Sequence, residues 1–423
     1  MVVGGGVHGL STAYHLAEEL EARGRSGGEV VLLEKRRLGA GASGICGGIV
    51  RNYYLSPAMN EIVRRSVEIF ELDPAGFGLR EVGYLAAVPD EQAEDLERIA
   101  GQHEEIGYES RLVVGAAACR EYMSAIFPDW RPRAVTAVLH ERPGGWADPT
   151  VTIANLAGMA RSLGVRLVEG AEVLGFELEG DVVRRVETSL GSIACDLVVV
   201  APGPWARELW RLLGLPAEIA VGDERRPMFR CFKVREGDYS LPSGDHLPGR
   251  APVVHLDLHE PLRSDRDGRL IHPGPWGIYF RPGAHGGVQG GGLPEPLEPD
   301  CELEPYGPSH PEHGSSGAGF DEWLTSGLAT ALGRFEGRSA EWRCSSFGAQ
   351  VAFTPDSYPV VDFVRPNAYA VLDSNHGFKM LALGRLAAAD ILGGGAPELE
   401  PFRLGRFAGA VLHAVSRSPY PWT

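Results

Sequence analysis

An α/β fold interrupted by a mainly antiparallel insertion (α+β overall) is what this sequence predicts, and three stretches predict it. The chain opens on two apolar residues, a glycine-rich turn and a helical repeat in "VVGGGVHGLSTAYHLA". A short buried strand, "EVVLLEK", follows within the length of one βαβ unit. Near the end, "AYAVLDSNHGFKMLALGRLAAADILGGG" reads again as strand, turn and long apolar helix. Between them, from Arg225 to about Ser345, short strands alternate with polar, proline-rich loops. The chain enters, leaves and re-enters one domain, and a second domain is inserted in pieces.

Each element has its own signal. Val2 and Val3 are the stump of a strand; Gly4, Gly6 and Gly9 match G-x-G-x-x-G; Leu10, Ala13, Leu16, Ala17 and Leu20 recur at helical spacing. The second strand, Glu29 to Lys35, carries Glu34 at its end. "PAMNEIVRRSVEIFEL", from Pro57, and "PDEQAEDLERIAGQHEEIG", from Pro89, read as helices with proline or acidic starts. Val82 to Glu141 mixes short strands and helices. In "WADPTVTIANLAGMARSLGVRLVEG" a helix runs into the strand Val165 to Glu169, and "EVLGFELEG" follows. Leu197 to Val200, apolar throughout before a Pro-Gly turn and a helix, reads as a central strand. "PMFRCFKV", "PVVHLDL" and "GIYFRP" are strands of the insertion, and "LPEPLEPDCELEPYGPSHPEHGSSGAG" is an exposed loop. The expected division is 1–80, 145–224 and 346–423 for the first domain, and 81–144 and 225–345 for the second.

Bulk properties fit this reading. With 423 residues the chain is long for a single core, and two domains are expected. The net charge of −16 speaks against nucleic-acid or anionic-membrane partners. The six cysteines form no C-x-x-C pair, which disfavours zinc and a disulfide framework, and no metal is expected. No apolar run reaches membrane-spanning length, and Met1 leads straight into the first strand, so a cytoplasmic protein is expected. Three residues precede the glycines. A genuinely short strand and a chain lacking a few native residues both remain open. So do a homo-oligomer and a hetero-oligomer.

The glycines imply a dinucleotide. The first permits the tight turn, the second lets backbone approach a pyrophosphate, and the third lets helix and strand pack closely. Helix-start amides and the helix dipole favour phosphate, while Glu34 is placed to accept hydrogen bonds from ribose hydroxyls.

The segment after Glu34, "LLEKRRLGAGASGICGGIVRNYY", resembles the one that follows the ribose-binding Glu in the D-amino-acid-oxidase superfamily of flavoproteins. "GGWADP", "EVLGF", "VVVAPGPWA", "FTPDSYPVVDF" and "DSNHGFKMLALGRLAA" match further pieces of that pattern in order, over nearly the whole chain. In the superfamily's closing pattern a T-P-D strand leads to an H-G-F-K turn and a helix over the flavin. Sarcosine oxidases, particularly the flavin subunit of the multi-subunit type, are the most similar group, with dimethylglycine dehydrogenases next. The resemblance implies a Rossmann-type FAD-binding domain and a discontinuous, mainly antiparallel substrate domain. It implies FAD contacts at Gly4, Gly6, Val7, His8, Gly9, Glu34, Lys35, Ser43, Val173, Ala201, Gly203, Trp205, His376, Gly377, Phe378 and Lys379. Ile45 and Ala349 stand at the superfamily's two covalent attachment positions, with Cys344 nearby. Neither can bond a flavin, so noncovalent FAD is expected.

The same resemblance places Arg51 and Lys379 on a carboxylate clamp over the flavin. A carboxylate needs a two-point cationic clamp to fix its Cα–H. Without the resemblance, Arg51 could equally pair with a surface acid and Lys379 cap a strand. Arg281 falls where monomeric sarcosine oxidases carry a lysine that helps O2 react, and His285 falls on an active-site histidine. Arginine keeps that charge but spreads it over a planar fork, which puts fast oxidase activity in doubt. Tyr53, Tyr54 and Trp146 read as core, and no general base is identifiable. The resemblance thus implies an FAD-dependent oxidoreductase acting on a small anionic amine or amino acid. Hydride passes to flavin N5, the imine hydrolyses, and electrons go to O2. The alternatives are a dehydrogenase with another acceptor and a non-catalytic flavin-binding assembly subunit.

Overall fold

Val2 and Val3 lie at the middle of a six-stranded sheet in the computed structural model, which describes residues 1–244, 246–298, 301, 303, 318–373 and 375–421. Parallel partners flank them, Leu32 and Leu33 on one side and Val199 and Val200 on the other. The sheet order is Val360–Arg365, Ala368–Leu372, Val198–Val200, Val2–Val3, Val31–Glu34, Arg166–Glu169. Only Val360–Arg365 is antiparallel to its neighbour. Buried parallel strands carry continuous apolar runs, which is why these short stretches lack a polar face. The helices Val7–Ala22, Pro149–Ser162 and Leu383–Ile391 cover one side. Gly384 lets the last of these lie against the first, because a Cβ there would stand 2.3 Å from Ser11 Oγ. Ser56 and Asp148 cap the helices Pro57–Leu72 and Pro149–Ser162, each followed by a proline in the first turn.

The second sheet has nine strands and draws on two separated stretches of chain. Tyr84–Val88, Ala137–Glu141 and Ser110–Val114 join it from the first stretch. Arg230–Ser240, Val253–Leu258, Trp276–Pro282, Val288–Gly291, Glu295–Pro296 and Arg343–Phe353 form the rest. The stretches meet where Val253–Leu258 pairs parallel with Tyr84–Val88; the other pairings are antiparallel. Arg343–Phe353 pairs with Arg230–Ser240 along its full length, which carries this sheet past Ser345.

Local structure differs from expectation in three places. Thr354, Pro355 and Asp356 form a turn between strands, not a strand. The Thr354 hydroxyl donates to the Tyr358 carbonyl, Asp356 Oδ1 accepts the Tyr358 amide, and Ser357 has φ +64°. The helix after Pro89 starts with a single tight turn, Asp90–Gln92, before Ala93–Glu105. The closing helix is only nine residues, Leu383–Ile391, because Gly393 and Gly395 beyond it adopt φ +76°. Most of the expected exposed loop "LPEPLEPDCELEPYGPSHPEHGSSGAG" lies outside the described residues.

Candidate active site

The glycine turn admits no side chains where the motif has none. A Cβ on Gly4, whose φ is +107°, would stand 2.2 Å from the Ala201 carbonyl oxygen, and one on Gly9 would stand 1.8 Å from that of Gly4. A Cβ on Gly6 would stand 2.9 Å from Ser43 Oγ, which accepts the Val7 amide at 3.1 Å. The turn is thus a backbone cradle held from behind by its neighbours.

From this cradle a cavity of about 480 Å³ runs to the second sheet. Gly4, Gly6, Val7, His8, Glu34, Lys35, Ser43, Val173, Ala201, Gly203, Trp205, Gly377, Phe378 and Lys379 line it. Glu34 presents its carboxylate at the carboxyl end of its strand, and Lys35 Nζ stacks 4.2 Å from the Trp205 ring centroid. The open backbone at Gly6, the carboxylate of Glu34 one strand away and the length of the cavity fit an extended dinucleotide such as FAD.

Two expected contacts lie outside this lining. Gly9 packs against Gly4, the role of the motif's third glycine. His376 is fully buried, stacked on Tyr358 at 5.9 Å, and its backbone amide donates to Asp373 Oδ1 at 2.7 Å. Asp373 does line the cavity, and His8 Nε2 approaches it at 3.1 Å. Burial opposes the charge on Asp373, yet His376 and His8 beside it hold its carboxyl far below the usual carboxylate range.

At the far end Arg51, Tyr84, Glu236, His255, Tyr279, Lys379 and Tyr420 share one wall system. The Arg51 guanidinium donates to the Tyr53 carbonyl at 2.7 Å and sits over the ring of Tyr54 at 4.7 Å. Tyr53 and Tyr54 are fully buried, as core residues would be. Lys379 Nζ donates to the Asn375 carbonyl at 3.5 Å. Burial, and then the charge of Arg51, pull the Lys379 ammonium down to about 8. The structure therefore brings together the two cations that the sequence separates by most of its length.

Arg281 and His285 are not brought there. The Arg281 guanidinium lies 3.9 Å from the Trp146 ring centroid, and it donates to the carbonyls of Gly47 at 3.1 Å and Pro282 at 2.8 Å. It is buried beside Gly47 and does not line the cavity, although its charge reaches Glu236, Tyr279 and Cys46, which do. His285 is exposed in the turn between Trp276–Pro282 and Val288–Gly291. The physical reason for Arg281 is what holds its guanidinium, the Gly47 and Pro282 carbonyls and the Trp146 ring. Tyr279 faces the cavity from its strand, and Gln289, on the neighbouring strand, donates to the Tyr279 hydroxyl at 3.2 Å. Tyr279 and Arg281, two apart in the strand, share a face, and Tyr279 is the one of the two that lines the cavity.

Glu236, Tyr279, His255 and Asp373 were not found from sequence. Glu236 had a signal: it follows Val234 at a spacing of two in a strand, so the two share a face, and both line the cavity. Asp373 repeats the logic of Glu34, a carboxylate just past the end of a parallel strand. Ile45 and Ala349 do not line the cavity, and Cys344 is exposed. Cys46 does line it, and burial pushes its thiol up to about 12.

Comparison with known proteins agrees with this geometry. Residues 1–390 match the family described as DAO: FAD dependent oxidoreductase. Mitochondrial dimethylglycine dehydrogenase of Rattus norvegicus is 29% identical over 279 residues, covering 64% of this chain and 30% of that protein. Sarcosine oxidase subunit beta of Rhizobium meliloti (strain 1021) is 28% identical over 225 residues, 51% of each. The chain thus matches 30% of the length of the first of these relatives and 51% of the second. The crystal structure of L-proline dehydrogenase from P. horikoshii superimposes with TM-score 0.77 at 23% identity, covering 97% of this chain and 98% of that one. That likeness is one of fold.

Proposed function

The chain belongs to the DAO family of FAD-dependent oxidoreductases, and from that premise we propose that it oxidises the C–N bond of a small amino acid or secondary amine. FAD is the family's cofactor, and the glycine cradle, Glu34 and Ser43 are the groups that would hold it here. Segments 1–80, 145–224 and 346–423 carry the cofactor in this reading, and 81–144 and 225–345 shape the substrate end. When bound, FAD supplies a ring that accepts a hydride.

One observation carries the reading: Arg51 and Lys379 line the same cavity as the glycine cradle. Two cations from different elements give a carboxylate two-point anchorage, which fixes the orientation of the bond to be broken. Tyr84, Tyr279 and Tyr420 wall that end and keep water from the anchored group. The positive charges also favour an anionic reduced ring. The imine product hydrolyses in water. His285, exposed in its turn, has no place in this scheme. FAD is noncovalent and the protein cytoplasmic in this reading, and the acidic charge speaks against nucleic-acid and anionic-membrane partners. Among the described residues no helix is long and apolar enough to cross a membrane.

Electrons pass to O2 in the first reading. A dehydrogenase with another acceptor is the second, favoured by the position of Arg281 beside Gly47 rather than in the cavity lining. The test is an anaerobic screen of amines and amino acids that follows the flavin absorbance. Bleaching by one of them is expected, and reoxidation in air then separates the two readings. A flavin that no amine or amino acid bleaches would leave only a binding or assembly role.

A further inference from the structure

The clamp leaves one cavity carboxylate without a task. Glu236 extends from the strand Arg230–Ser240 into the cavity that Arg51 and Lys379 line. Gln289 Nε2 donates to its Oε2 at 3.2 Å, and the Tyr279 hydroxyl also hydrogen-bonds to it. Neither partner is charged. The ionisable groups that face Glu236 come from every element around it. Tyr279 and Arg281 belong to Trp276–Pro282, Lys379 to the turn Gly377–Met380, and Asp238 to its own strand. Cys46 and Tyr420 complete the set. Arg281 is engaged by the carbonyls of Gly47 and Pro282.

A cavity with two cations at one point and a carboxylate at another is complementary to a zwitterion. We propose that Glu236 faces the substrate's amine: the site takes an α-amino or N-alkyl-α-amino acid with its carboxylate on Arg51 and Lys379, and Glu236 accepts the ammonium proton. This rests on the amino-acid reading above. In the step one ammonium N–H bond breaks, one O–H bond forms on the Glu236 carboxyl, and nitrogen keeps the electron pair. An ammonium has no lone pair with which to form a C=N bond, so this proton must leave before oxidation. Burial pushes the Glu236 carboxyl up to about 7, against the Tyr279 hydrogen bond and the charges of Arg281 and Lys379. A carboxylate so raised is a competent acceptor near neutral pH.

The test uses the FAD-loaded protein and two acids that differ by the amine, α-aminoisobutyrate and isobutyrate. The first has no α hydrogen and cannot be oxidised at that carbon. Calorimetry in two buffers of different protonation enthalpy counts the protons released on binding, and the flavin absorbance reports occupancy. α-Aminoisobutyrate should release about one proton at about pH 6 and none at about pH 9; isobutyrate should release none. At about pH 6, Glu236→Gln should weaken α-aminoisobutyrate at least about tenfold, hold isobutyrate within about twofold, and abolish proton release. Retained isobutyrate binding shows that the variant is folded, and Glu236→Asp should restore the release. If Glu236→Gln binds both acids like the parent, with the same proton count, Glu236 does not face the amine while the amino-acid reading stands. If neither acid perturbs the parent flavin, both fall together.

Discussion

Glu34 Oε2 accepts the Gly5 amide at 2.8 Å, while its Oε1 accepts the Arg36 amide at 2.9 Å. One carboxylate thus holds the glycine turn against the end of the second strand and still lines the cavity. Glu34→Ala removes these bonds together with a ribose acceptor. FAD affinity should fall by about 1.5–3 kcal/mol, the worth of a hydrogen bond to a charged group. Titration of the apoprotein with FAD, followed by flavin fluorescence, measures this. An unchanged dissociation constant would remove Glu34 from the cofactor site.

Lys379 sets an upper pH limit. Its ammonium is pulled down to about 8, so its charge is present below that value and lost above it. Binding of a carboxylate should weaken as pH rises through about 8 in the parent. Lys379→Met should show no such fall and should slow anaerobic flavin reduction by about thirtyfold or more, as should Arg51→Ala. Stopped-flow reduction across the pH range decides it. Parent-like rates in both variants would place the clamp elsewhere.

The flavin should leave the protein on acid or heat denaturation. Ile45 and Ala349 carry no nucleophile, and Cys46, the thiol in the cavity lining, is kept protonated by burial. A yellow band that stays with the denatured polypeptide on a gel would contradict this, and Cys46→Ser would then identify the attachment atom.

Arg281→Met should act on stability rather than on oxygen. It removes the bonds to the Gly47 and Pro282 carbonyls and the contact with the Trp146 ring. The melting temperature should drop, while reoxidation of the photoreduced enzyme should stay within about threefold of the parent, since the guanidinium does not line the cavity. Slow reoxidation with an unchanged melting temperature would restore Arg281 to the oxygen site.

Arg406 pairs with Asp356 through two bonds of 2.9 Å, with both side chains buried. Burial opposes the charge on Asp356, yet Arg406 overrides it and holds the carboxyl below its usual value. The unfolded chain therefore binds this proton more readily. The pair's contribution is complete above about pH 4, the unfolded carboxylate value, and is lost as pH falls through the lower folded value. Arg406→Met should cost about 3–5 kcal/mol at neutral pH, because it leaves a buried charge unpaired, and less in acid. Urea unfolding at several pH values tests both the size and the sign.

The parallel sheet was legible because its signals are local. Strand, glycine turn and helix follow one another within the first residues, and Glu34 and Ser43 lie just beyond. Arg51 and Lys379 were legible only through the resemblance, since nothing in their neighbourhoods says that they meet. The antiparallel wall was the hard part. Strands such as Trp276–Pro282 are apolar on both faces, so alternation does not tell which residue faces the cavity. Arg281 was placed there by the resemblance, and of Tyr279 and Arg281, which share a face, Tyr279 is the one that lines the cavity. Glu236 stands among other charged residues of its strand, Lys233, Arg235 and Asp238, and such a residue usually reads as solvent-facing.

The six-stranded sheet also imposes an order of events on biosynthesis. Val2 and Val3 are made before both of their neighbours, and one of these is Val199 and Val200, whose own outer partner is Ala368 to Ala370. The strand Val2–Val3 must wait, one edge bare, until the chain has been made as far as Val200. The cradle and Lys379 are far apart in sequence, so the cavity is complete only once Lys379 has been made. Capture of a cofactor that uses both must follow the synthesis of Lys379.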